Sequence, residues 1–111
     1  EEIENLDRRI MQLRIEREAL KKDLGPFPFQ AFWGPAAGIA SSEWISASAK
    51  WIEKNHSPTL SLVYLPHLDY PLQKDGPLAA SLPAELRKID QLVREADSPL
   101  RVARCSRFGF I

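Results

Sequence analysis

The chain has 111 residues, one domain's worth, with 15 Lys+Arg against 15 Asp+Glu and a formal net charge of +0, so no global field draws it to nucleic acid or anionic lipid. Its hydrophobic fraction of 44%, with three Trp and five Phe, is that of a globular chain and not of a disordered one. Cys105 is the single cysteine, which excludes an internal disulfide, and no apolar run approaches the roughly 20 residues that span a bilayer.

Residues 1–23, "EEIENLDRRIMQLRIEREALKKD", lack Gly and Pro and place Ile3, Leu6, Ile10, Leu13 and Leu20 at alternating three- and four-residue steps, broken only by Arg17. This spacing predicts an amphipathic helix with a coiled-coil seam. Acidic residues gather at its start and Lys21 and Lys22 at its end, as the helix dipole favours. Such a helix cannot bury its seam alone. A helix partner or self-association through residues 3–20 is therefore expected.

Residues 24–40 form a second region, in which Gly25, Pro26, Pro28, Gly34, Pro35 and Gly38 punctuate a run carrying Phe27, Phe29, Phe32 and Trp33. Glycine and proline stop the helix, and so many rings predict a loop that packs over another part of the protein. The first helix is one surface that it could cover.

Residues 41–111 read as helix, strand, helix, strand. "SSEWISASAKWIEKN" predicts a helix capped by Ser41 or Ser42, with Trp44, Ile45, Ser48, Trp51 and Ile52 on its core face. Thr59–Leu65 is a continuous aliphatic and β-branched run, the pattern of a strand buried on both faces and ended by Pro66. "SLPAELRKIDQLVREA" predicts a second helix, with Ser81 as cap and Leu82, Leu86, Ile89 and Val93 as its stripe. "SPLRVARC" is a weaker strand candidate, with Arg101 and Arg104 alternating with apolar residues. The order implies an α/β fold, a partial parallel sheet with flanking helices, plus the N-terminal coiled-coil-like helix. Ligands gather at the carboxyl ends of parallel strands, so "PHLDY" and "SRFGF" become the loops to inspect.

Two resemblances sharpen these expectations. "ENLDRRIMQLRIEREALKKD" resembles the start of the coiled-coil middle domain of ClpB-type AAA+ disaggregases, a structural and regulatory helix of that chaperone family that carries no nucleotide-binding residue. The chain has no GxxxxGK[ST] loop, so ATP hydrolysis is not implied. "FQAFWGPAAGIASSEWI" and "PTLSLVYLPHLDYPLQKDGP", with "LRKIDQLVREA" and "SRFGF", resemble the nucleotide pyrophosphatase and phosphodiesterase branch of the alkaline phosphatase superfamily. The resemblance spans residues 27–111 and places a boundary between unlike pieces near Leu24 and Gly25.

That second family hydrolyses phosphoric esters with two zinc-like ions and a Thr or Ser nucleophile. The resemblance implies Asp69 as a metal ligand, the aspartate of a DxxxH pair, and a divalent, zinc-like metal as cofactor. Gln73 stands where the pair's histidine would be, and a neutral amide is a poor zinc ligand. "SRFG" aligns with a family SDHG pattern, putting Arg107 and Phe108 where Asp and His would bind metal, and neither side chain can coordinate a cation. No catalytic residue is assigned, because the nucleophile-bearing segment has no counterpart. The fragment is expected to be inactive in isolation.

Other chemistry-bearing residues have plainer readings. His56 precedes Ser57 and Pro58 as a turn residue, and Cys105 has no local base to activate it. His67 is either a solvent-facing ring or a weak second donor beside Asp69, and Asp69 either caps a turn or holds metal. The reducing, cytoplasmic compartment follows from cysteine usage as the default expectation. Three possibilities remain: a phosphodiesterase-like fragment, a non-catalytic module that assembles through its first helix, and a chain with no evolved function.

Overall fold

The computed structural model describes the backbone of residues 1–100 and the side chains of residues 1–97. It is helical throughout its regular elements: α1 (Glu2–Leu24), α2 (Ile39–His56), α3 (Asp69–Asp75) and α4 (Leu82–Leu100), with short 3-10 turns at Phe29–Ala31 and Pro66–Leu68. No strand occurs among the described residues, which overturns the expected α/β fold and its parallel sheet. The physical reason lies in Thr59–Leu65. Its composition suits a strand, but a strand is stable only when neighbours satisfy its edges, and no second strand is present among the described residues to do so. The segment links α2 to the Pro66 turn without regular structure, with Leu60 74% and Leu62 89% exposed.

α1 forms as its periodicity predicts and ends where Gly25 adopts φ 78, a conformation that a side chain disfavours, with the Gly25 N–H closing on Lys21 O at 2.8 Å. At its end it is tied to α2: Trp51 Nε1 donates to Asp23 Oδ2 at 2.6 Å, and Trp44 Nε1 donates to Gly25 O at 3.2 Å. None of its residues is buried.

The segment between α1 and α2 packs as a ring cluster. Phe27 sits edge-on to Trp44 at 5.2 Å and to Phe32 at 5.5 Å, an arrangement that aromatic quadrupoles favour. The rings therefore cover the start of α2. Phe29 and Trp33 remain exposed at the edge of the cluster.

The centre of the body is the contact of α2 with α4. α2 begins two residues before its expected cap, so Ser41 and Ser42 lie inside its first turn and are fully buried. Its inward face is Ser42, Ser46 and Ala49, and not the expected face of Trp44, Ser48 and Trp51. Small side chains let two helices approach closely, and the tryptophans turn instead toward the aromatic segment and α1. α4 buries Leu92 and Ala96 at this contact, while of the predicted stripe Leu82, Ile89 and Val93 are half-buried and Leu86 is 48% exposed. Ala49, Leu92 and Ala96 are the buried hydrophobic residues among those described. A core that small leaves much apolar surface on the outside. The radius of gyration, 16.8 Å, exceeds the roughly 13 Å of a compact chain of about this length because α1 projects from the body.

Candidate functional site

The stretch from Val63 to Pro77 contains most of the candidate residues. It is expected as a strand-end loop, yet Pro66–Leu68 form a 3-10 turn that runs directly into α3, with Pro66 at the first position where its fixed φ suits a helical start. The turn lies against α2 and α4. That placement sends His67 and Asp69, two residues apart, to opposite environments.

His67 points inward and is 5% exposed. Its backbone N–H donates to Ser42 Oγ at 3.2 Å, and its ring Nε2 lies on Glu85 Oε2 of α4. Lys88, one turn along α4, also reaches Glu85, at 3.1 Å. The hydrogen bond from His67, and next that from Lys88, hold the Glu85 carboxyl below the usual glutamate range. Because an ionised carboxylate only accepts, Nε2 is the ring nitrogen that carries a proton toward Glu85. The other ring nitrogen, Nδ1, is buried with no hydrogen-bond partner among the described residues.

Tyr70 closes the cluster. Its hydroxyl donates to Phe32 O at 2.8 Å and lies 3.4 Å from Ser41 Oγ, which donates to Gly38 O at 3.0 Å. The His67 and Tyr70 rings meet edge to face at 6.3 Å. The network ties the Pro66 turn, the aromatic segment, α2 and α4 together.

A serine, a histidine and a glutamate in contact invite comparison with a hydrolytic triad, but the geometry differs. Ser42 Oγ meets the backbone N–H of His67 and not its ring, so the ring is not placed to remove the serine proton. Ser42 is also fully buried, which bars substrate. The cluster is a hydrogen-bonded brace. Sequence inspection missed Glu85, Ser42 and Tyr70 as its members because their pairing joins residues 18 to 38 positions apart. The one local signal is the hydrophobic stripe of α4, which with Glu85 read as an inward position would run Glu85, Ile89, Leu92, Ala96 at helical steps.

Asp69 faces outward at the start of α3 and accepts a hydrogen bond of 2.5 Å from Tyr64 Oη. That bond, reinforced by desolvation and by the negative charge of Asp69, raises the Tyr64 phenol above its ordinary pKa. Gln73 lies exposed one turn further on. His67 is committed to Glu85, so it does not serve as a second donor beside Asp69. One carboxylate, one phenol and one neutral amide fall short of the donors that a two-ion phosphodiesterase centre uses. Among the described residues, no group of three or more His, Cys, Asp and Glu could hold a metal ion.

His56 ends α2, and its ring lies 5.7 Å from that of Trp51. Cys105, Arg101, Arg104, Arg107 and Phe108 lie outside the described residues, as does the strand expected after Leu100; residues 98–100, also assigned to that strand, belong to α4. Among the described residues no helix is long and apolar enough to cross a membrane.

The second candidate region is the exposed face of α1. Ile3 is 74%, Leu6 57%, Ile10 48% and Leu13 57% exposed, and these four form one continuous stripe. No family model, curated protein or solved structure matches the chain.

Proposed function

We propose that this protein is a non-catalytic assembly module that docks an amphipathic helix along α1, with the α2–α4 body as the scaffold that holds α1 by its C-terminal turn. One observation carries the reading: a 23-residue helix with a regular apolar stripe buries none of its residues. Contiguous exposed apolar surface marks an interaction site more often than scattered apolar residues do, and a stripe at coiled-coil spacing is shaped for another helix. The likeness of residues 1–23 to a chaperone coiled coil agrees with this reading. The phosphodiesterase likeness enters it as the origin of the scaffold, since the donors around Asp69 favour no hydrolytic step.

The test uses a fluorescently labelled synthetic helical peptide, with leucine at its core heptad positions and alternating Glu and Lys on its flanks, titrated with the full chain. Saturable binding is expected. Leu6→Ser combined with Leu13→Ser removes two apolar contacts worth about 1.5 kcal/mol or more each, so affinity should fall roughly 100-fold. Both positions are solvent-facing in the monomer, and circular dichroism of the double variant should remain helical. Equal binding by the wild type and the double variant would overturn the reading.

A further inference from the structure

We infer that the helix received by α1 is the α1 of a second copy, running antiparallel, in a register set by charge. This inference rests on the assembly reading above and adds the partner, its direction and its alignment.

The stripe sets the heptad frame. Ile3, Ile10 and Arg17 occupy a positions, and Leu6, Leu13 and Leu20 occupy d positions. In an antiparallel pair an a residue faces a d residue of the other helix. Setting Ile10 against the partner's Leu13 also sets Ile3 against the partner's Leu20. The same register puts Leu6 against the partner's Arg17, whose long stem can lie over apolar surface while its guanidinium reaches water. Every apolar seam residue from Ile3 to Leu20 is then covered.

The flanking charges choose the direction. In this register Asp7 lies beside the partner's Arg14, and Arg9 lies beside the partner's Glu16. Two-fold symmetry repeats each pair, so four attractive contacts flank the seam. A parallel pair would instead set Glu2 against the partner's Asp7, Arg9 against the partner's Arg14, and Arg17 against the partner's Arg17. Only Glu16 with the partner's Lys21 would be attractive there. The antiparallel pair has one kind of like-charged contact, Glu2 with the partner's Asp23, which the two-fold repeats at both ends, so two repulsive contacts stand against four attractive ones. Asp23 already accepts the Trp51 indole N–H at 2.6 Å, which offsets part of that charge. Antiparallel helix dipoles add to the preference.

The fold leaves room for this pair. α1 hydrogen-bonds to its own body through Asp23 and through Gly25 just beyond its end, Leu20 and Leu24 are half-buried, and the stripe from Ile3 to Leu13 is exposed. The helix side chains that would reorganise are exposed: Arg17 and Glu18 are 67% and 62% exposed, and Glu16 is engaged only with Gln12, at 3.1 Å. Antiparallel pairing places the two bodies at opposite ends of a helix pair about 35 Å long.

Sedimentation equilibrium of the full chain over a concentration series reaching the millimolar range, with reductant to keep Cys105 from crosslinking, tests the inference. A monomer–dimer equilibrium is expected. Arg9→Glu turns two attractive contacts repulsive and should weaken the dimer about tenfold. Adding Glu16→Arg to it restores attraction with the signs exchanged and should return the dimer to near wild-type strength. In a parallel dimer Arg9→Glu would relieve a repulsion and tighten association, so tightening, or no change, overturns the inference. A chain that stays monomeric throughout also overturns it. The outcome for the assembly reading is separate, because the synthetic peptide binds or fails to bind whether or not the chain pairs with itself.

Discussion

The two helical surfaces of this protein invert the usual relation between composition and burial. α1 presents Ile3, Leu6, Ile10 and Leu13 to solvent, while the buried face of α2 against α4 is made of Ser42, Ser46 and Ala49. An apolar stripe identifies the side of a helix that needs a partner. It does not say where the partner is. The α2 face succeeds because small residues permit close backbone approach, and because Ser42 is satisfied by the His67 N–H, so its burial leaves no hydroxyl stranded. Ser46 lacks such a bond among the described residues, and the interface is correspondingly less complete there.

The contrast predicts that the body is sensitive where it looks poor in apolar residues, and that α1 is tolerant where it looks rich. Leu92→Ala removes the largest of the buried hydrophobic side chains at the α2–α4 contact and should cost about 2–3 kcal/mol in chemical denaturation, a large share of the stability of so small a core. The Leu6→Ser and Leu13→Ser pair should change the unfolding free energy of the monomer by less. If the α1 pair proves the more damaging in dilute solution, the stripe is contributing to the monomer, and the comparison fails.

A smaller effect sharpens the comparison on the polar side. Glu85 titrates below its ordinary value in the folded protein because His67 and Lys88 stabilise its carboxylate. A lowered folded pKa gives stability that is fully present above the unfolded pKa and is lost as pH falls through the folded one. Acid should therefore weaken the wild-type body in the window below the normal glutamate range. Glu85→Gln should lower stability at neutral pH by roughly 1–3 kcal/mol and flatten that acid-side slope, measured by thermal unfolding across pH. An unchanged slope would show that the His67–Glu85 contact does not brace the body.

The smallest expected effect is at the surface pair of Tyr64 and Asp69. Asp69→Asn removes the charged acceptor that raises the Tyr64 phenol, so the ultraviolet titration of tyrosine should show one residue ionising at lower pH, with little change in stability. If the titration does not move, the phenol is not held by Asp69 in solution. Asp69 would then be free for the metal-ligand role that the phosphodiesterase likeness implies, which zinc titration followed by calorimetry would reveal.

Much of the helical content was legible in the sequence. The absence of Gly and Pro from residues 1–23, the stop at Gly25 and Pro26, and the Ser81 to Leu82 start of α4 are local signals, and the structure follows each of them. The orientation of α2 and α4 was less legible, since Trp44 and Trp51 looked like core and Glu85 lay off the expected apolar stripe. Large rings can be satisfied at an edge by one indole hydrogen bond each, and a carboxylate can face inward when a histidine meets it. Neither possibility is written in periodicity.

What the sequence by itself determined was α1, α2 and most of α4, the seam of α1 and the charges that flank it, but not α3, because hydrogen bonds four residues apart and side chains on one helical face are local properties. Only the tertiary structure decided the fate of Thr59–Leu65 and of His67. The strand-like run needs an edge supplied from elsewhere and does not find one among the described residues, so it stays without regular structure and mostly exposed. His67 could have faced water beside Asp69, but the Pro66 turn packs against α2 and α4 and carries it inward to Glu85. Both outcomes depend on contacts between distant parts of the chain, where a residue's own propensity has the least say.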